Sequence, residues 1–77
     1  MFVYVAATDG KIELHVEKQR IGAASTPSEL ALMFAANNIS YGQSIHCSSS
    51  IDFCDEEGFE PGAAAMFVTE AIEMVAV

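Results

Sequence analysis

Polar and apolar residues alternate without a break over Lys11-Ile12-Glu13-Leu14-His15-Val16-Glu17-Lys18. Ile12, Leu14 and Val16 fall on one side and Glu13, His15 and Glu17 on the other, which is the period of a half-buried strand. Residues 2–7 before it are rich in strand formers, with Phe2, Val3, Tyr4 and Val5 in succession. Asp9-Gly10 joins the two runs, and that dipeptide favours a two-residue hairpin because both positions accept positive φ. The turn fixes the register. Ala7 faces Ile12, Val5 faces Leu14 and Val3 faces Val16, giving an inner apolar face. On the outer face Ala6 meets Glu13, Tyr4 meets His15 and Phe2 meets Glu17.

An apolar sheet face needs a cover, and Thr26-Pro27-Ser28-Glu29 announces one. Thr26 suits an N-cap, Pro27 the first helical position and Glu29 the third, which together form a capping box. The helix runs to about Asn38 with Leu30, Met33, Phe34 and Asn37 as its stripe. Leu32 and Ala36 point elsewhere, so a second helix or a partner must lie beside it.

Residues 39–44 read as a connection, with Ser40, Gly42 and Ser44 as turn formers. Alternation returns from Ile45 to Phe53, which predicts a third strand with Ile45, Cys47, Ser49, Ile51 and Phe53 on one side. Its three central serines argue for an edge position or a bend. After an acidic turn, Pro61-Gly62 opens a second helix with Ala64, Phe67, Val68, Ala71, Ile72 and Val75 inward and Thr69, Glu70 and Glu73 outward. The order β-β-α-β-α predicts a single α+β domain over 1–77. Its sheet would be small, three-stranded, antiparallel or mixed, with two helices packed on one face.

Size tightens this picture. A chain of 77 residues buries only about 60% of its unfolded surface, so its stability margin is thin. At 52% hydrophobic and 18% charged it has more apolar side chain than so small a body readily hides, which favours self-association. Phe2, Tyr4 and Leu32 are the candidates for it. For Phe2 and Tyr4 the competing readings are a cover formed by the tail Met74-Val75-Ala76-Val77 or a different register. The N-terminal run lacks a basic leader, and no uncharged stretch reaches the ~20 residues of a spanning helix. These features predict a cytoplasmic protein without membrane association. Cys47 and Cys54, on one extended strand, would lie roughly 23 Å apart, so they read as reduced thiols rather than a disulfide.

Charge carries the clearest functional signal. The net charge is −8, and Lys11, Lys18 and Arg20, the three basic residues, are balanced by Asp9, Glu13 and Glu17. After Arg20 come eight acids and no lysine or arginine. Asp52, Asp55, Glu56, Glu57 and Glu60 crowd into nine positions. Two carboxylates ~7 Å apart in water repel by roughly 0.6 kcal/mol, so concentrating five has a cost that dispersing them avoids. Such a cluster suits a basic partner, with Glu70 and Glu73 in support, although acidic turns also serve solubility alone.

Other chemistries fit less well. An EF-hand starting at Asp52 would place Cys54, Glu57 and Ala63 where an acid, a glycine and a glutamate are required. His15, His46 and Asp52 would share a face if the third strand lay beside the second, which would permit a metal site or a general base. Cys54 lies among carboxylates that disfavour its thiolate, and Ser48-Ser49-Ser50 lacks a glycine elbow. No phosphate-binding loop or basic-aromatic patch is present, which argues against direct nucleic-acid binding. These features predict no enzyme activity and no cofactor or metal.

In size, acidity and β-β-α-β-α order, with Asp52 to Glu60 as the nearest thing to a signature, the chain resembles phage-encoded anti-CRISPR proteins. That group shares no common motif, so no family residue transfers. The resemblance implies a stoichiometric inhibitor that occupies the basic surface where a CRISPR effector complex holds its target DNA. The alternative reading is a small homo-oligomeric structural or assembly protein with no nucleic-acid-mimic role.

Overall fold

The computed structural model describes residues 1–47 and 63–75. Strands β1 (Val3–Thr8), β2 (Lys11–Val16) and β3 (Gln19–Ala24) lead into helix α1 (Pro27–Ala36). Strand β4 (Ile45–Cys47) and helix α2 (Ala63–Val75) complete the α+β fold. The mixed sheet has the order β3-β2-β1-β4. The expected hairpin is present with its full register: Val3 pairs with Val16, Val5 with Leu14 and Ala7 with Ile12. Asp9 (φ 50°) and Gly10 (φ 78°) take the left-handed conformations that this tight turn requires.

One expectation needs correction. The described sheet has four strands rather than three, because the chain turns again at Glu17-Lys18 and adds β3 antiparallel to β2. Both turn residues have positive φ, 53° and 69°. Neither is a residue that favours this conformation, so the turn leaves little trace in the sequence. Backbone pairing secures it, since the Glu17 N–H donates to the Phe2 carbonyl at 2.9 Å. The Phe2 N–H in turn donates to Glu17 Oε1 at 2.8 Å. The place of β4, which the sequence leaves open, is parallel to β1, at the edge of the described sheet. The remainder of the anticipated third strand, 48–53, lies outside the described residues.

The crossover explains α1. β3 is antiparallel to β2, which is antiparallel to β1, so β3 runs parallel to β4. Parallel strands need a long connection over a sheet face, and α1 supplies it. Thr26 caps the helix as read, its Oγ1 accepting the Glu29 N–H at 3.2 Å, with Pro27 in the first turn. At the far end Asn38 adopts φ 61°. The Asn38 N–H donates to Ala35 O and the Ile39 N–H to Phe34 O, a Schellman closure. Ile39, assigned to the connection by its sequence, is thereby folded under Phe34 and buried.

The core lies between one sheet face and both helices. Val3, Val5, Ile12, Leu14 and Ala24 from the sheet meet Leu30, Phe34, Ile39, Phe67 and Ala71. Val68, Ile72 and Val75 pack against this cluster, while Thr69, Glu70 and Glu73 are exposed, as the helical period required. The helix-opening Pro61-Gly62 lies outside the described residues.

The two hairpin turns respond oppositely to substitution. Lys18→Gly relieves a left-handed lysine and raises stability by about 0.5 kcal/mol, or roughly 2–4 °C in Tm. Gly10→Val forces a branched residue to positive φ and lowers stability by more than about 1 kcal/mol. Thermal melts followed by circular dichroism check both signs.

Candidate functional site

The face of the sheet opposite the helices carries a row of ring side chains. Alternation turns Tyr4 and His15 outward because their neighbours Val3, Val5 and Leu14 fill the core. The register then sets His46 beside Tyr4 on one side and His15 on the other, with Arg20 beyond His15. The Phe2 ring stacks on His46 at 4.7 Å between centroids and lies 6.5 Å from Tyr4. Tyr4 meets His15 edge-on at 5.4 Å. Offset and edge-on geometries are the favourable ones for such pairs. Phe2, Tyr4, His15 and Lys18 line a shallow depression of about 270 Å³.

The charged groups of this face are largely engaged with one another. Glu13 is half-buried, with Oε1 3.2 Å from His15 Nε2 and Oε2 3.6 Å from Arg20 Nε. A β-bulge between the partners of Leu14 and His15 leaves Ile21 as the extra residue of β3 and aligns Arg20 with His15. Glu17 is held by the Phe2 N–H. Among the described residues, the three strands and their turns hold Lys11, Lys18 and Arg20 and as many acids, Asp9, Glu13 and Glu17.

The helical layer differs. Glu29 on α1 and Glu70 and Glu73 on α2 are exposed, and no lysine or arginine occurs on either helix. Leu32 is 72% exposed. A groove of about 430 Å³ beside it is lined by Ser28, Ala31, Leu32, Ala35, Met74 and Val75. Leu32 therefore lies across the molecule from Phe2 and Tyr4, and the three do not form one patch.

Of the acidic residues chosen from the sequence, Glu70 and Glu73 are placed as expected, on the outward side of α2. Asp52, Asp55, Glu56, Glu57 and Glu60 lie outside the described residues, as does Cys54. His15 and His46 do share the outer face. They are not neighbours, however: Tyr4 stands between them, and two strand spacings amount to about 10 Å. The parallel placement of β4 beside β1 thus separates the imidazoles that adjacency to β2 would have joined, and Asp52 is outside the described residues. Among the described residues no group of three or more His, Cys, Asp or Glu is arranged to hold a metal ion. No described helix is long and apolar enough to cross a membrane.

Comparison of the chain with known protein families, with curated proteins and with solved structures finds no match in any of the three. What the site can do must therefore come from its own chemistry: rings that stack and charges that pair.

Sequence reasoning found Phe2, Tyr4 and His15 on this face but missed Lys18, Arg20 and the stack of Phe2 on His46. For Lys18 and Arg20 the missing signal was the Glu17-Lys18 turn, whereas the stack depends on the pairing of β4 with β1. Two residues separate Val16 from Gln19, and reading them as a hairpin loop places Arg20 beside the ring row. The stack itself has a direct readout. The His46 ring protons resonate upfield because of Phe2, and Phe2→Leu returns them towards their ordinary positions with the fold intact. Unchanged His46 shifts in Phe2→Leu would contradict the geometry.

Proposed function

We propose that the chain is a non-enzymatic inhibitor whose acidic surface docks on the basic, nucleic-acid-binding face of a protein complex. The observation that carries this reading is the division of charge between its parts. The β1–β3 hairpins and their turns are electrically balanced, whereas everything after Arg20 contributes eight carboxylates and no lysine or arginine. Glu29, Glu70 and Glu73 stand exposed on the helical layer, and among the described residues none has a basic side chain as ion-pair partner. A surface that only needed solubility has no reason to keep both signs apart, and interspersed charges would avoid the self-repulsion.

Duplex DNA presents one negative charge per ~1.7 Å, and a protein that grips it does so with lysine and arginine. Carboxylates of Asp52, Asp55, Glu56, Glu57 and Glu60, with Glu70 and Glu73 as secondary contributors, stand in for those phosphates in this reading. The gain is in association rate and partner choice, both of which weaken with salt. Inhibition of a CRISPR effector complex is the case that the anti-CRISPR resemblance implies. The place of action is then the cytoplasm, that of the host if the protein is phage-encoded.

A homo-oligomeric structural or assembly protein is the second reading, favoured by the ring row on the sheet face opposite the helices.

The inhibitor reading is tested by pull-down of basic nucleic-acid-binding complexes at increasing ionic strength. Capture should fall steeply with salt, and the triple reversal Asp55→Lys, Glu56→Lys, Glu57→Lys should weaken it by at least about tenfold. Capture that is indifferent to both salt and charge reversal would contradict the proposal.

A further inference from the structure

We infer that Phe2 is a strap, through which the strained Glu17-Lys18 turn and the docking of β4 on β1 form one cooperative unit. Glu17 grips the Phe2 backbone twice. The Phe2 N–H donates to Glu17 Oε1 at 2.8 Å, and the Phe2 carbonyl accepts the Glu17 N–H at 2.9 Å. At the other end the Phe2 ring stacks on His46, the middle residue of β4, at 4.7 Å with 24° between the ring planes. One residue earlier, the Met1 carbonyl accepts from Gln43 Nε2 at 3.1 Å, just ahead of β4. Met1 and Phe2 thus join the β2–β3 turn to the segment that enters β4.

Neither end is well held without the other. The turn keeps Glu17 and Lys18 at positive φ, 53° and 69°, a conformation that disfavours the closed turn for residues other than glycine. β4 is three residues long. Its neighbour in the described sheet is β1, and the pairing is parallel, the weaker kind per residue. Glu17 holds the Phe2 backbone in line with β1, and that line sets the ring over His46. Releasing Phe2 from Glu17 therefore frees the ring, and losing the ring contact frees the backbone that braces the turn. The core is not drawn in. Val3, next along the chain, is fully buried with Val5, Ile12 and Leu14, so the strap, the turn and β4 open together while the β1–β2 hairpin stays closed. The coupling is reciprocal: whatever favours the closed turn docks β4 more firmly, and by the same factor.

NMR of the full chain reads both ends. Glu17→Gly suits the left-handed backbone but removes the carboxylate, so relief of strain and loss of the strap predict opposite results. The strap predicts a roughly fivefold fall in the ratio of stacked to unstacked ring, the strength of one hydrogen bond to a charged group at a partly exposed site. It is seen as a downfield movement of the His46 ring protons, with the Tyr4–His15 edge contact kept. Lys18→Gly relieves strain with the strap intact and should leave the His46 shifts in place. Glu17→Gln keeps an acceptor and should retain most of the upfield displacement. In the other direction, Phe2→Leu should speed hydrogen exchange of the Glu17 amide by a similar factor. Unchanged His46 shifts in Glu17→Gly overturn the inference, and so does an unchanged Glu17 amide in Phe2→Leu. Should Glu17→Gly fail to fold, Glu17→Asn takes its place with the same expected result, since asparagine tolerates the left-handed region and its side chain is a methylene shorter.

Discussion

The structure depends on one constraint: the inner face of the β1–β2 hairpin must be kept from water. Val3, Val5, Ile12 and Leu14 are all fully buried, and each side chain removed from water contributes roughly 1.5–3 kcal/mol. For a 77-residue domain whose net stability is about 4–12 kcal/mol, those four positions decide whether it folds. The cover they require accounts for the rest of the architecture. α1 crosses the sheet and seats Leu30 and Phe34, its Schellman closure turns Ile39 inward, and α2 adds Phe67 and Ala71 alongside.

The helices take one face of the sheet, and the functional interest of the described residues lies on the other. The same alternation that drives Val5 inward turns Tyr4 outward, so the aromatic row follows from the core and is not independent of it. Parallel pairing of β4 with β1 then brings His46 to Tyr4 and under Phe2. Among the described residues two sides differ in character: a balanced, ring-bearing sheet and an acidic pair of helices.

Much of this was legible from period and turn chemistry. Ile12, Leu14 and Val16 gave the strand, Asp9-Gly10 gave its register, and Thr26-Pro27-Ser28-Glu29 placed the helix start to the residue. These signals are local and carried by residues with strong preferences. What failed to show was equally physical. Glu17 and Lys18 adopt left-handed conformations against their own preference, held by the Phe2–Glu17 pairing across the hairpin. Gln19–Ala24 is a strand with only one β-branched residue, Ile21, which the bulge sets out of register. Its partner strand creates it, and propensity does not. Ile39 reached the core through a helix closure built on Asn38, a residue that is tolerated there but seldom diagnostic. The position of β4 was a matter of topology, and no local pattern distinguishes a neighbour of β1 from a neighbour of β2. Of the acidic candidates, the helical period placed Glu70 and Glu73 correctly.

Competition for nucleic acid measures the central claim most directly. Labelled DNA is bound to basic nucleic-acid-binding complexes, CRISPR effectors among them, and the protein is titrated in while fluorescence anisotropy is followed. An acidic inhibitor that occupies the DNA-binding face releases or excludes the DNA at a fixed stoichiometry, without turnover, and loses potency as salt rises. Full retention of DNA by every complex at saturating protein, or release by catalytic amounts of it, would contradict the account.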